Sequence, residues 1–192
     1  MTAPTSRSLG STELKRLHRE WRRRTPGRVA LILDDVQGPF NVGALLRTAA
    51  AWRVEPVWIT ERCPRPGDAK TQKTALGSDR FVEVRAVERG VDAVAAARGA
   101  GFRVIAVELA DGARPLHEID LAGDICLVLG HEDRGVGADV LAACDAVAFL
   151  PQLGRIGSLN VATAGAVALY EVRRRTWTTA ESTGVGGDDL LG

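Results

Sequence analysis

The stretch DICLVLGHEDRGV, residues 124–136, decides the fold class of this chain. Its apolar run, residues 125–129, shows no polar alternation and leads directly into Gly130 and a charged turn. A short apolar run bounded by turn residues is typical of a strand that is buried on both faces. Such strands belong to parallel sheets that carry helices on both faces.

The same pattern recurs on both sides of this stretch, in alternation with segments of helical character. The alternation predicts an α/β fold with a mostly parallel sheet and helices on both faces. In such sheets, ligands bind outside the carboxyl ends of the strands. The predicted strands are 28–35, 56–60, 81–84, 102–109, 124–130 and 146–150, and the predicted helices are 11–24, 41–52, 137–145 and 158–175, with shorter ones within 71–76 and 87–100.

The 192 residues suffice for one domain with a hydrophobic core, which we assign to residues 28–175. Residues 1–27 form a basic extension that contains the first helix, and the Thr-, Gly- and Asp-rich tail, residues 176–192, is expected to be flexible. No apolar run approaches the roughly 20 residues that a membrane span needs, and the first residues do not resemble a secretory signal. We therefore expect a cytoplasmic protein without a membrane partner.

The formal net charge is only +1, but positive charge is concentrated in one segment. Between Ser11 and Arg28, seven lysines and arginines stand against two glutamates. The chain contains no glycine fingerprint for a dinucleotide, no P-loop and no HExxH or GxSxG motif. The three cysteines lack the spacing of a zinc site, so we assign Cys126 and Cys144 to the core.

The loop DDVQGPFNVGALLRT, residues 34–48, follows the first predicted strand. Asn41 is a suitable N-cap for the next helix, Gly43 permits the close approach of another segment, and Arg47 follows Asn41 by six residues. Taken alone, the loop also fits an alternative without function, in which Asn41 only caps the helix and Arg47 is only solvated.

Two further loops also carry polar residues at strand ends. In LVLGHEDRGV, residues 127–136, Gly130 can admit a ligand against the backbone and Glu132 can support it. In FLPQLGRIGSLNVATAGAVALYE, residues 149–171, Ser158 is predicted to cap a helix of small residues, and Asn160 lies in its first turn. Ordinary caps and turns would explain each loop alone, and His131 is expected to be solvated.

Together and in this order, N-x-G-x-x-x-R-T, G-x-E-x-x-G and P-(x)6-S-L-N-V closely resemble the three motifs of the SpoU/TrmH branch of the SPOUT RNA methyltransferases. The resemblance covers roughly residues 28–175 and includes the stretches 71–84 and 105–121. Gln152 departs from the pattern, since the family often has methionine after this proline. The departure puts details of the substrate in doubt, but not methyl transfer.

The resemblance implies a deep trefoil knot in the C-terminal part and methylation of a ribose 2′-hydroxyl of RNA. S-adenosylmethionine would be the methyl donor, S-adenosylhomocysteine the product, and no metal would be needed. tRNA, with a D-loop guanosine as the target, is favoured over rRNA, because rRNA members often carry a larger N-terminal domain. The alternatives are an rRNA 2′-O-methyltransferase and an inactive RNA-binding protein with the same fold.

Motif matching also assigns roles to residues. The family proposals make Arg47 a general base. The alternative is a cation that clamps the neighbouring phosphate and stabilises the developing alkoxide, which is physically easier because guanidinium stays protonated in nearly all protein sites. Family members are homodimers whose partner often completes the site, and helix 158–171 is a plausible dimer surface. The remaining candidates are Asn41, Glu132, Ser158 and Asn160 around Arg47, Val107, Glu108, Gly130, Leu150 and Leu159 for the cofactor, and Lys15, Arg16, Arg19, Arg22 and Arg23 for RNA phosphates.

Overall fold

A seven-stranded sheet forms the centre of the computed structural model, which describes residues 7–182. The strand order is β3-β2-β1-β6-β4-β7-β5, and every pairing is parallel. The predicted α/β class with a mostly parallel sheet is therefore confirmed. The strands are β1 (Val29–Leu33), β2 (Val54–Ile59), β3 (Val84–Ala86), β4 (Arg103–Val107), β5 (Arg114–Pro115), β6 (Ile125–Leu129) and β7 (Ala146–Phe149), and the helices are α1 (Ser11–Arg24), α2 (Pro39–Ala51), α3 (Ala69–Ala75), α4 (Gly90–Gly99), α5 (Ala138–Ala143) and α6 (Val161–Ser182).

Helices cover both faces of the sheet, because successive side chains of a strand point to opposite sides. Leu31 of β1 packs in a core with side chains of α2 and α6. Its neighbour Ile32 packs in a second core with side chains of α4 and α5. Both faces of β1 and β6 are thus buried, which explains their continuous apolar sequences. Within residues 7–182, no helix combines the length and the apolar character needed to cross a membrane.

The sheet edges differ from the sequence prediction. The third strand lies at Val84–Ala86, not at 81–84, because a 3-10 turn, Ser78–Phe81, follows Gly77 with its positive φ of 74°. Strand β5 has two residues and was not predicted. Helix α6 continues past the predicted end at residue 175, so residues 176–182 of the expected flexible tail are helical. Residues 183–192 of that tail lie outside the described part of the chain.

Helix α1 spans the predicted residues 11–24 and docks on the domain through aromatic rings. Trp21 meets Trp177 of α6 with ring centroids 5.0 Å apart, and the Trp177 Nε1–H donates to Thr25 Oγ1 at 2.8 Å. Trp52 and Tyr170 complete the cluster around Trp177. The basic side chains of α1 stay exposed, since no residue of this helix is buried.

Arg173 of α6 is a buried guanidinium that donates to three backbone carbonyls, those of Gly27, Trp52 and Arg53, at 2.8–3.1 Å. Burial lowers its pKa to about 10.

Arg173→Met is expected to lower the free energy of unfolding by about 3 kcal/mol, because it leaves these carbonyls without a donor. Chemical denaturation measures the loss. Arg174→Met, which removes a half-exposed ion pair with Glu171, should cost below about 1 kcal/mol; equal losses would contradict this role of Arg173.

Candidate active site

Hydrogen bonds join the three loops that the sequence singled out. Glu132 Oε1 accepts from the Asn41 amide and from the Gly38 N–H, both at 2.8 Å, and Oε2 accepts from the Gln37 N–H at 3.1 Å. Asn41 Oδ1 in turn accepts from the Asn160 amide at 3.0 Å. The hydrogen-bonded series Glu132–Asn41–Asn160 therefore connects the loops that follow β6, β1 and β7.

The helix caps differ from those predicted. Helix α2 begins at Pro39 after Gly38, so Asn41 lies inside the first turn and its side chain serves Glu132 instead of capping. Asn160, and not Ser158, caps α6, since its Oδ1 accepts from the N–H groups of Ala162 and Thr163 at 3.0 and 3.2 Å. The carboxamide of Asn160 thus caps the helix through its oxygen and binds Asn41 through its nitrogen.

Glu132 is held in its ionised form. Partial burial acts to raise its pKa, but hydrogen bonds from Asn41 and from the backbone outweigh burial, and the net pKa is lowered. Since the folded pKa lies below the unfolded value near 4.5, the carboxylate stabilises the fold above that pH. The stabilisation is lost as the pH falls through the lowered folded pKa.

Glu132→Gln is expected to lower the free energy of unfolding by about 1–2 kcal/mol at pH 7. The NH₂ group of glutamine cannot accept hydrogen bonds, so part of the donors that now bind the Glu132 carboxylate would lose their acceptor. Denaturation curves of the variant and the parent should converge as the pH falls below 4.5. Glu118→Gln, which alters an exposed pair with Arg114, is the control and should be nearly neutral. A difference that is unchanged at low pH would argue against an ionised Glu132.

A cavity of about 290 Å³ opens beside this network, between the loops after β4, β6 and β7 and the start of α6. Glu132 and Ser158 contribute to its wall, whereas Asn41 and Asn160 do not. Gln152, the residue that departs from the motif, also lines it. All five residues proposed for cofactor binding line this one cavity: Val107, Glu108, Gly130, Leu150 and Leu159.

The loop after β6 is folded on itself, and this explains its glycines. His131 and Gly135 exchange two backbone hydrogen bonds, at 3.0 and 2.8 Å. A Cβ on Gly130 would lie 2.3 Å from the carbonyl carbon of Gly135 and from the nitrogen of Val136. We expected Gly130 to make room for a ligand; the space beside its Cα is instead filled by backbone of the same loop.

Arg47 lies apart from this cavity. It is exposed on α2 and is absent from the cavity wall. Nothing among residues 7–177 forms a hydrogen bond or an ion pair with its guanidinium. A single chain therefore brings Glu132, Asn41 and Asn160 together but leaves Arg47 outside.

The small residues of α6 serve packing within the chain. A Cβ on Gly165 would lie 2.6 Å from Leu45 and 2.7 Å from Leu129, so the helix packs closely on α2 and β6. Its opposite side exposes Val167 and Tyr170. The predicted dimer surface is thus restricted to this outer side.

The backbone donors of Gln37 and Gly38 were not found from the sequence. A main-chain N–H has no side-chain signature, and only the glycine at position 38 hinted at a close contact. A Cβ there would lie 2.6 Å from Glu132 Oε1. The position therefore favours glycine for a reason that only the folded loops reveal.

Comparison with known proteins finds RNA methyltransferases. The profile described as "SpoU rRNA Methylase family" matches residues 28–170. A tRNA (guanosine(18)-2′-O)-methyltransferase of Escherichia coli K12 is 33% identical over 87% of this chain and 72% of its own. A 23S rRNA (guanosine-2′-O-)-methyltransferase of Coxiella burnetii is 35% identical over 84% of this chain and 64% of its own. The AdoMet-bound rRNA methyltransferase structure from Sinorhizobium meliloti superimposes with a TM-score of 0.73 at 29% identity, and covers 78% of this chain and 57% of that one.

Proposed function

The chain belongs to the SpoU methylase family, and from this premise we propose that it methylates a ribose 2′-hydroxyl of RNA with S-adenosylmethionine as the methyl donor. The observation that carries the proposal is that hydrogen bonds join the three separate motif loops, two of which also line one cavity.

The cavity residues fit S-adenosylmethionine. A volume of about 290 Å³ lies just below the usual range for small-molecule sites, which begins at about 300 Å³. Leu129, Leu150 and Leu159 offer apolar surface to a purine, and the carboxylates of Glu108 and Asp133 place negative charge near a cationic ligand. When bound, this cofactor supplies a methyl group on a positively charged sulfur, which is already a good leaving group.

The protein has two tasks in this reaction, alignment and stabilisation of charge. Val107, Glu108, Gly130, Leu150 and Leu159 would hold the methyl donor. It would transfer its methyl group to the 2′-oxygen and leave as S-adenosylhomocysteine, while the hydroxyl proton would pass to water. Alignment can contribute on the order of 7–11 kcal/mol in ideal cases. Arg47 would stabilise the negative charge that develops on the oxygen and hold the neighbouring phosphate, while Ser158 would contact substrate or cofactor at the cavity wall.

Arg47 can perform this role if a second copy of the chain completes the site. We propose a homodimer in which the guanidinium of one protomer reaches the cavity of its partner. The exposed Val167 and Tyr170 of α6 are candidates for the contact. We also propose that the segments around the cavity are threaded as a deep trefoil knot, as the family resemblance implies.

The favoured substrate is tRNA, and the proposed site of action is the cytoplasm. Helix α1 would bind RNA phosphates as an extension of the domain 28–175, through exposed cations that have no carboxylate partner among the side chains of residues 7–177. The Trp21–Trp177 contact holds the helix in place for this task. The α1 cations proposed to bind RNA are Lys15, Arg16, Arg19, Arg22 and Arg23.

The test is methyl transfer from labelled cofactor to bulk tRNA and to rRNA from cells that lack this gene. The expected product is a tRNA nucleotide whose 3′ linkage resists alkaline hydrolysis, because its 2′-oxygen is blocked. Labelled rRNA would favour the rRNA alternative. Cofactor binding with no methylated RNA of either kind would favour an inactive RNA-binding protein.

A further inference from the structure

One exposed surface beside α2 combines unpaired cations with large apolar side chains. We call it the α3 surface; it consists of Lys70 and Lys73 on α3 and of Leu76, Arg80 and Phe81 in the turn that follows. Leu76 and Phe81 are 67% and 65% exposed, which is unusual for side chains of this size. The inner side of α3 is buried through Thr71 and Ala75.

The α3 surface is fixed close to Arg47. A Cβ on Gly43 of α2 would lie 2.1 Å from Thr74 Oγ1, so α3 packs directly on the α2 backbone at this point. Thr74 Oγ1 also donates to the Phe40 carbonyl at 3.0 Å. Gly43 and Arg47 are four residues apart and therefore lie on one side of α2. The α3 surface thus adjoins the side of α2 that carries Arg47.

The cations of the α3 surface differ in their ion pairing from most other lysines and arginines outside α1. Arg85, Arg98 and Arg103 each pair with a carboxylate. Lys70, Lys73 and Arg80 have no ion pair within the described chain. Arg80 instead stacks on the ring of Phe81, with 4.7 Å between guanidinium and centroid. Positive charge here is available to an external anion.

We propose that the α3 surface is a second RNA contact, separate from α1, in which Lys70, Lys73 and Arg80 bind phosphates and Phe81 stacks on an unpaired base. The proposal rests on the methyltransferase function proposed above. Unpaired cations next to an exposed aromatic ring match a nucleic acid strand, which offers phosphates and base faces side by side. The position beside Arg47 assigns the contact to nucleotides that flank the methylated ribose.

A second copy of this chain is the less suitable occupant. Residues 65–80 carry four cationic side chains and only two acidic ones, Asp68 and Asp79. Two identical surfaces would therefore repel each other. Asp68 is also engaged, since its carboxylate accepts from the Arg65 N–H at 2.8 Å. Charge complementarity therefore favours RNA.

The test compares two triple variants of the full chain that change net charge equally. Lys70→Ala/Lys73→Ala/Arg80→Ala removes the proposed phosphate contacts. Arg89→Ala/Arg103→Ala/Arg114→Ala, the control, removes three arginines that pair with acids, of which Arg89 and Arg114 are exposed and Arg103 is partly buried. The first variant should raise KM for RNA at least tenfold and reduce the slope of log K against log salt by about 2–3. The control should change either quantity little, and KM for the cofactor should stay constant in both.

Phe81→Ser tests the stacking part separately. RNA affinity should fall about tenfold with an unchanged salt slope, because no charge is removed. Since the side chain is exposed, the melting temperature should change little. Unchanged RNA affinity in both α3 surface variants, with methylation intact, would overturn the proposal and leave the function standing.

Two other outcomes are distinguishable. A shift from dimer to monomer in sedimentation of the α3 surface variants would assign the surface to a copy of the chain and refute the RNA contact. Absence of RNA methylation by the unaltered protein would refute the proposed function itself, whatever the variants bind.

Discussion

Arg47→Ala is expected to slow methyl transfer about a thousandfold while cofactor binding stays unchanged. Loss of a single group that stabilises a developing oxyanion costs about 10²–10³ in rate, and loss of the phosphate clamp adds to that. Cofactor affinity should persist, because the proposed partners of Arg47 are the ribose oxygen and the neighbouring phosphate of the RNA, not the cofactor. Single-turnover transfer of labelled methyl and a cofactor titration measure the two quantities.

The variant should fold normally, which makes the result interpretable. Arg47 is exposed and forms no hydrogen bond or ion pair with any of residues 7–177, so its loss removes no polar contact within that part of the chain. Arg114→Ala is a matched control, since it truncates another exposed arginine. A rate within tenfold of the parent for Arg47→Ala would remove Arg47 from the reaction.

Arg47→Lys separates charge from geometry. Lysine keeps a positive point charge but loses the planar fork that binds phosphate through two parallel hydrogen bonds. We expect most of the rate to be lost in this variant too. A rate close to that of the parent would contradict the bidentate clamp and reduce the role of Arg47 to simple attraction.

Gly130→Ala is expected to weaken cofactor binding at least about a hundredfold. A methyl group at this position would lie 2.3 Å from the backbone of Gly135 and Val136, which no small adjustment relieves. The loop would have to move, and with it the wall that Glu108, Glu132 and Gly135 contribute to the cavity. Equilibrium titration with the cofactor measures the loss.

Gly154→Ala is the matched control for this prediction. Gly154 lies in the loop after β7, and its nearest neighbour to an added Cβ is 4.0 Å away, so binding should be nearly unchanged. RNA binding through α1 should survive in both variants, which distinguishes a closed cavity from an unfolded chain. Equal cofactor affinities for the two variants would contradict the tight packing of the 130–136 loop.

The buried centre of the sheet could be predicted from the sequence, whereas its edges could not. Strand β6 is buried on both faces, so its sequence is continuously apolar and its limits are clear. Strand β3 pairs only with β2 and exposes Arg85 and Ala86, so its sequence lacks such a signal. The limits of an edge strand therefore become clear only from its pairing with the neighbouring strand, which the sequence alone does not reveal.

The candidate site was predictable as a set of residues but not as an arrangement. Motif spacing identified Asn41, Glu132 and Asn160, and hydrogen bonds join all three. Their mutual roles depend on contacts between residues about a hundred positions apart, which no local pattern encodes. Assignment of the α6 cap to Ser158 failed for this reason, since Asn160 both caps the helix and binds Asn41.

The central claim is that the cavity presents a methyl donor to a ribose oxygen beside a guanidinium. The most direct measurement is a crystal structure of the full chain with S-adenosylhomocysteine and its assembly partner. We predict the nucleoside in the cavity that Gly130 and Leu159 line, with its sulfur within about 8 Å of Arg47 of one protomer, the span that one methyl and one reacting oxygen can bridge. A nucleoside bound elsewhere, or an Arg47 remote from the sulfur in every pairing of protomers, would contradict the claim.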